Sequence, residues 1–371
     1  MRKAFLYRLY PTKRQADALD YQLTEARHLY NAALQERRDA WRHGVSLNYY
    51  NQANQLKEIR AAGDLSLANF SACQDVLRRV DKAFKSFFRR VKQGGKPGYP
   101  RFKDRDRFDS VTFPTYGNGV KLAERLYVQG VGKIKIKLHR ATTGKIKTVT
   151  LKRNCGHWYA VFSCDLGAAP PLPEKAESPV GIDMGLESFA TLSDSTVVPN
   201  PRYLEKGLDV LAQRQRRLAK KRKGSRRRRK ARLLVARTHA HIREQRRDFS
   251  HKTALWLVKS YDLIAHEDLN IRGMVRNHSL ARGISDAAWG QFIGVLRHKA
   301  EEAGVAVFAV NPRNTSQRCS GCGEIVPKDL GGRLHSCPHC GLNLHRDLNA
   351  ARNILALGLS AQGQALRSRL L

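Results

Sequence analysis

The sequence predicts an α/β protein of more than one domain, and three observations carry that prediction. Its 371 residues are enough for two or three domains with cores of their own. The hydrophobic period is helical over roughly 11–95 and strand-like over 111–165, and it alternates between the two afterwards. A proline-rich stretch at 168–179, AAPPLPEKAESP, reads as the linker between two halves.

Charge narrows the class. Lys and Arg number 68 against 32 Asp and Glu, a formal net charge of +36. Such an excess calls for a polyanionic partner, with nucleic acid first and an anionic membrane surface as its rival. No run of about 18 apolar residues is present, so no membrane span is expected. No leader is expected either, since the apolar residues after Met1-Arg2-Lys3 are soon interrupted by charge. Four of the seven cysteines sit in two C-x2-C knuckles, which suits a reducing compartment better than a disulfide scaffold.

Residues 2–10, RKAFLYRLY, alternate apolar and basic as a strand does. Pro11-Thr12 then starts a helix with Thr12 as its N-cap, and Leu19, Leu23, Ala26, Tyr30 and Ala33 share one face. Residues 44–64 are polar, rich in amides and tyrosines. A second helix over 68–92 carries an apolar stripe of Leu77, Val80, Phe84, Phe87, Phe88 and Val91. The stretch GGKPG at 94–98 ends the helical part. Short strands follow around Val111 and Phe113, Ile134 to Leu138, Val149 and Leu151, and Tyr159 to Phe162. Lysines interleave with isoleucines in KIKIKLH, which predicts a barrel or curled sheet with one apolar and one basic face. Residues 1–10 would be its first strand, with the helices inserted.

Beyond the linker the pattern gives strands at 180–184, 187–193 and 196–198, and a basic helical region at 201–260. A strand at 262–267, a helix at 286–303, a strand at 305–310, a cysteine ribbon and a helix at 347–358 follow. Three strands, helix, strand, helix, strand, helix is the order of the RNase H-like fold. There, carboxylates hang from the ends of the first and fourth strands and from the last helix.

Cys319, Cys322, Cys337 and Cys340 follow a C-x2-C-x14-C-x2-C spacing. Four thiolates about 2.3 Å from one tetrahedral zinc leave no open position, so such a site is structural. His335 and His339 are alternative donors, more simply read as bystanders. Asp183 lies in GIDMG, Glu267 ends the strand LIAHE, and Asp347 begins the last helix. Any one of these acids could be a surface or capping residue. Together, at positions the fold would bring side by side, they could hold two Mg²⁺ ions about 4 Å apart for phosphodiester chemistry. Asp268 falls on the opposite strand face from Glu267. Residues 214–233 hold 13 Lys or Arg and no acid. Arg226, Arg227, Arg228 and Arg229 stand at the centre of this run, which a phosphate backbone would relieve of self-repulsion. The part around Gly224-Ser225 is expected to be disordered until bound.

The stretches GIDMGL, HEDLNIRGM, NPRNTSQRCSGCG, CPHCG and HRDLNAARNIL, with YRLYPTKRQADAL, DKAFKSFFRR and GKPGYPRFK in the first half, resemble the TnpB family. Its members are RNA-guided DNA endonucleases of insertion sequences, related to type V CRISPR effectors. The resemblance spans nearly the whole chain and is more specific in the second half. It implies a wedge domain, an oligonucleotide-binding-like β-barrel, from 1–10 and 96–172, with a helical recognition domain at 11–95. It implies a RuvC nuclease domain at 173–313 and 344–371, carrying a zinc ribbon at 314–343. By motif match, Asp183, Glu267 and Asp347 are the Mg²⁺-binding catalytic acids and the four cysteines hold structural Zn²⁺. A mobile loop beside the cleft would cover 270–292. Asn69, Phe70 and Gln74 fall near positions that read a target-adjacent motif, though a proline common in the family is missing there. The implied partners are a guide RNA from the transposon end, one protein per RNA, and double-stranded target DNA, in a prokaryotic cytoplasm. Two other functions fit the same residues: a transposase performing strand transfer, and a catalytically silent guided repressor.

Overall fold

The structure is a computed structural model that describes residues 1–63, 65–327 and 332–370, with side chains through residue 364. The chain divides into two compact units, Met1–Gly167 and Ala168–Leu371, and the division falls where the proline-rich stretch begins.

The first unit opens with β1 (Arg2–Tyr10), α1 (Lys13–Arg42), α2 (Tyr49–Ala61) and α3 (Phe70–Lys92). It continues with β2 (Ser110–Phe113), β3 (Val120–Leu122), β4 (Leu126–Val128), β5 (Gly132–Lys137), β6 (Lys145–Asn154) and β7 (His157–Asp165). The strands form one sheet in the order β2-β6-β7-β1-β5-β4-β3. The strand that comes first in sequence is therefore the middle one in space, paired with β7 on one side and β5 on the other. Phe5, Tyr7 and Leu9 of β1 are buried, so its alternation serves one inner face. In β5, Ile134 and Ile136 are buried while Lys133, Lys135 and Lys137 are exposed, as KIKIK predicts.

Thr12 caps α1 with a capping box completed by Gln15. The polar segment conceals α2, which Asn48 caps in the same way with Asn51 and which buries only Gln52 and Leu56. So narrow an apolar stripe leaves almost no periodic signal. The β3–β4 hairpin was likewise not expected, because three-residue strands are too short to show alternation. The stripe predicted along α3 is buried at Leu77, Val80 and Phe84, but Phe88 and Val91 stand exposed.

The second unit begins with β8 (Pro179–Asp183), β9 (Ser188–Leu192), β10 (Val197–Pro199), α4 (Tyr203–Ala219), α5 (Arg226–Ser260) and β11 (Leu263–Glu267). Then come α6 (Ile271–Met274), α7 (His278–Ala287), α8 (Trp289–Ala303), β12 (Ala306–Val310), β13 (Leu334–Ser336), β14 (Asn343–His345) and α9 (Arg346–Leu370). The main sheet runs β10-β9-β8-β11-β12. In it β8, β11 and β12 are parallel, with β9 and β10 antiparallel. Three expectations change here. The basic region is a hairpin of two helices whose turn holds Gly224 at φ +82°; Ser225 caps α5, so that stretch is structured where disorder was expected. The helix expected at 286–303 breaks at Ala288, which adopts φ +55° between α7 and α8. The segment expected to be a loop at 270–292 is largely helical, and the Asp286 carboxylate accepts from the backbone N–H of Leu204 and from Arg246.

The faces of the main sheet are sharply assigned. Val180, Ile182 and Ile264 point into a core shared with α5 and α8, while Leu263 and Ala265 point to the other side with Ile354 and Leu355 of α9. There α9 lies almost on the strands. A Cβ on Gly181 would stand 2.1 Å from the Ala351 carbonyl oxygen, and one on Gly358 would stand 2.4 Å from the Ala265 Cβ. Gly181→Ala should therefore lower stability by about 3 kcal/mol through overpacking against backbone. Thermal denaturation checks this; an unchanged melting temperature would mean that α9 is not seated on β8.

Candidate functional site

In the parallel ladder between β8 and β11, His266 is level with Ile182, so the next rung sets Glu267 beside Asp183. Side chains alternate along a strand. Both acids thus share the face of Gly181 and Ala265, the face α9 covers, and Asp347 lies in the first turn of that helix. Asp183 senses the other two. Burial, then the negative charges of Glu267 and Asp347, push the Asp183 carboxyl up to about 8 against the opposing pull of Arg346. Burial also raises Glu267, partly offset by a hydrogen bond from the Thr315 hydroxyl. Asp347 is paired with Arg346 at 3.4 Å and with His345 at 3.8 Å. Asp268 is exposed, its N–H donated to the Val310 carbonyl.

A set of hard carboxylate oxygens, one of which keeps its proton to an unusually high pH, suits divalent cations, since only an opposing charge lets all three ionise together. The acids are not drawn as close as metal-ligating thiols are. Among the described residues, only the four cysteines bring three or more donor atoms within 4.8 Å of one another.

Residues that sequence reasoning missed hold this arrangement. Asn353 donates to the carbonyls of Thr315 at 2.8 Å and Arg318 at 2.7 Å, and Asn349 donates to Arg318 and accepts from the Ser320 N–H. These two asparagines, one turn apart on α9 and both buried, clasp the strand-to-ribbon loop that presents Thr315 to Glu267. A signal was available. Asparagine is a poor helix former, so two of them on one helical face, in DLNAARN, ask for buried partners. Beside them lies an open cleft of about 490 Å³ lined by Asn311, Arg313, Asn314, Thr315, Arg318 and Asn353, among others.

The four cysteines converge as their spacing predicts. The Sγ atoms of Cys319 and Cys340 are 3.6 Å apart, as are those of Cys322 and Cys337. Gly323 and Gly341, at φ +85° and +75°, allow the backbone to turn behind each knuckle. Burial alone would raise the Cys319 thiol. Hydrogen bonds from the Cys322 N–H, the His335 ring and the Gly321 N–H bring it below the usual thiol range instead. His335 thus supports the cluster from outside, and His339 is exposed. The donor set fits a soft tetrahedral cation. Part of the ribbon, 328–331, lies outside the described residues.

The proposed nucleic-acid contacts divide. Arg226, Arg227 and Arg229 are exposed, but Arg228 donates to the carbonyls of Leu218 and Lys221 and so ties the helix hairpin together. Asn69 is a correction. It is 3% exposed, caps α3 by accepting from the Ala72 N–H, and donates to Asn118 and Gln129, so its amide is engaged within the fold. Phe70 packs against the core with Arg60 over its ring, and Gln74 is half-buried on α3. Among the described residues no helix is long and apolar enough to cross a membrane.

Known proteins resemble this chain along its length. A family model of the IS605 OrfB type, described as a probable transposase, matches residues 162–278, and one described as Cas12f1-like, TNB domain, matches 289–354. A third, described as a helix-turn-helix domain, matches 1–45, where the structure has one strand and one long helix. A protein of Streptomyces pristinaespiralis named "Putative RNA-guided DNA endonuclease" is 34% identical over 97% of this chain and 90% of its own. InsQ of Escherichia coli K12, named in the same way, is 31% identical over 96% and 92%. Among solved structures, the mini-RNA-guided endonuclease CRISPR-Cas_phi3 superposes with a TM-score of 0.54 at 9% identity, over 97% of this chain and 92% of that one. At that identity the likeness is one of fold.

The raised Asp183 carboxyl has a consequence for stability. It keeps its proton to about pH 8 in the folded chain and only to about pH 4 unfolded. Between those values the folded state binds more protons, so stability falls as pH rises. Asp183→Asn should remove part of that fall, leaving the variant more stable than the parent at pH 9 by at least about 1.4 kcal/mol. Denaturant titrations in a chelator at pH 5 and pH 9 measure the difference.

Proposed function

The chain belongs to the TnpB family of insertion-sequence proteins, and from that membership we propose that it is an RNA-guided DNA endonuclease using Asp183, Glu267 and Asp347. One observation carries the chemical half of this reading: the carboxylates at the ends of β8 and β11 share a sheet face, the first turn of α9 supplies the third, and the charges of Glu267 and Asp347 raise the Asp183 carboxyl. The strand order β10-β9-β8-β11-β12, with β8, β11 and β12 parallel, supports the RNase H-like, RuvC-type reading. The three acids would hold Mg²⁺, which when bound lowers the pKa of an attacking water and stabilises the leaving oxygen of a phosphodiester. Thr315 orients Glu267, and Arg313 and Arg318 line the neighbouring cleft, where a phosphate backbone would lie.

The remaining assignments follow the family. Cys319, Cys322, Cys337 and Cys340 would hold one structural zinc. The curled sheet of residues 1–10 and 96–172 would act as the wedge, an oligonucleotide-binding-like module, and 11–95 as the recognition domain. A guide RNA from the element's end would read the target by base pairing while the protein supplies basic surface and a short direct readout. Phe70 and Gln74 are the side chains left for that readout. A strand-transfer transposase is the second reading, which the probable-transposase description of the matching family model favours. It requires joining of DNA ends without RNA.

Cleavage assays on guide-matched and unmatched duplexes decide between these. Alanine at Asp183, Glu267 or Asp347 should lower matched cleavage by more than about a hundredfold, and Thr315→Val by about ten- to a hundredfold, the range of outer-shell partners. Guide-independent cutting, or an active Asp183→Ala variant, would reject the assignment. Elemental analysis should find one zinc per chain; Cys322→Ser should lose it and melt earlier, because metal binding and local folding are one equilibrium. Neutralising Arg226, Arg227 and Arg229 together should flatten the salt dependence of nucleic-acid binding by about two to three units of slope. Arg228→Ala should instead loosen the turn between α4 and α5.

A further inference from the structure

The apolar stripe of α3 outruns what covers it. Past Phe84 it emerges at one end of the first unit, where Trp41, Phe87, Phe88 and Tyr99 line an open cleft of about 270 Å³ together with Arg37 and residues of the 45–47 turn. Trp41 is 68% exposed and Phe88 55%. The rings are set on edge to one another: Phe87 to Phe88 at 5.1 Å, Phe87 to Tyr99 at 5.3 Å and Phe84 to Tyr99 at 5.7 Å between centroids. Phe84 and Phe88 lie stacked, with centroids 6.4 Å apart, and Trp41 and Phe88 keep ring surface open to solvent.

Cations surround these rings. The Arg38 guanidinium stands 5.9 Å from the Tyr99 centroid and 5.3 Å from that of Phe102. Arg89, Arg90 and Lys92 close the last turn of α3. At the cleft's inner wall Arg37 is 7% exposed. Its Nε donates to Gln52 and its Nη1 to Asp81, while its buried Nη2 has no hydrogen-bond partner. A buried guanidinium nitrogen without an acceptor is costly, and here it belongs to a side chain lining an aromatic cleft.

A docking site for an apolar helix would not need a ring of arginines or an unfilled donor. A nucleobase meets all three features: it offers a π-face to stack, a carbonyl or ring nitrogen to accept from a guanidinium, and a phosphate on either side. We propose that this cleft captures an unpaired base of single-stranded RNA, stacked on Phe88 beside Trp41 and hydrogen-bonded by Arg37. RNA is chosen over DNA on the reading above: a folded guide presents permanently splayed bases, the elements by which RNA is most often recognised, whereas target DNA enters paired.

The full chain, stripped of nucleic acid in high salt, can be cross-linked by ultraviolet light to a short oligouridylate carrying one 4-thiouridine, and the adduct mapped by mass spectrometry. Adducts are expected at Trp41, Phe88 or Tyr99. Phe88→Leu keeps the apolar bulk and loses the ring; its yield should fall by roughly tenfold, in the range stacking is worth, while Phe88→Tyr should retain it. Both variants should melt with the parent, since Phe88 is largely outside the core. Adducts confined to other residues, or equal yield from Phe88→Leu, would overturn the proposal. So would a 4-thiothymidine DNA strand that labels the cleft when the RNA does not, or a concentration-dependent dimer that Phe88→Leu abolishes, which would make the cleft a self-association surface. Because binding is read without cleavage, failure here leaves the nuclease assignment untouched, and an inactive nuclease leaves this result standing.

Discussion

The second unit depends on how closely one helix lies on one sheet. Two glycines, Gly181 on β8 and Gly358 on α9, remove the side chains that would hold helix and strands apart. Everything chemical follows from that approach. A strand bearing Gly181 and Asp183 on the same face turns its acid toward the helix, its parallel neighbour does the same with Ala265 and Glu267, and the helix's first turn supplies Asp347. Set further off, α9 would leave the third carboxylate out of reach of the other two. In GIDMG the first glycine is thus a packing residue, and the aspartate two positions on faces the helix that the glycine admits.

The same helix ties down the cysteine cluster. Asn349 and Asn353 hold the carbonyls and N–H groups that lead into the first knuckle, and the ribbon's last strand runs directly into α9. The ribbon therefore closes the site as a brace. The loop that the asparagines hold is the one from which Thr315 reaches Glu267.

Features that rest on repeated local signals were legible in the sequence. The main-sheet strands of the second half, the buried isoleucines and exposed lysines of β5, the Thr12 cap and the paired knuckles each express a period or a spacing, and each is found where the pattern set it. Features that rest on a single contact were not legible. Ala288 itself takes the left-handed conformation that breaks the helix, where a glycine would have been the expected marker, and α2 buries too little to show a stripe. Arg228 belongs to a run of four arginines that look alike in sequence, and only the fold of the turn separates it from its neighbours. Asn69 had the opposite fault: a plausible reader of DNA by position, it is held inside by two partners from distant parts of the chain, Asn118 and Gln129.

The site holds two kinds of residue with opposed effects on the fold. Gly181 and Gly358 keep the scaffold together, whereas Asp183 is tolerated in spite of burial and like charge. Replacing the acid would therefore relieve the scaffold, while replacing either glycine would pry its helix and strands apart: the two neighbours in GIDMG pull stability in opposite directions.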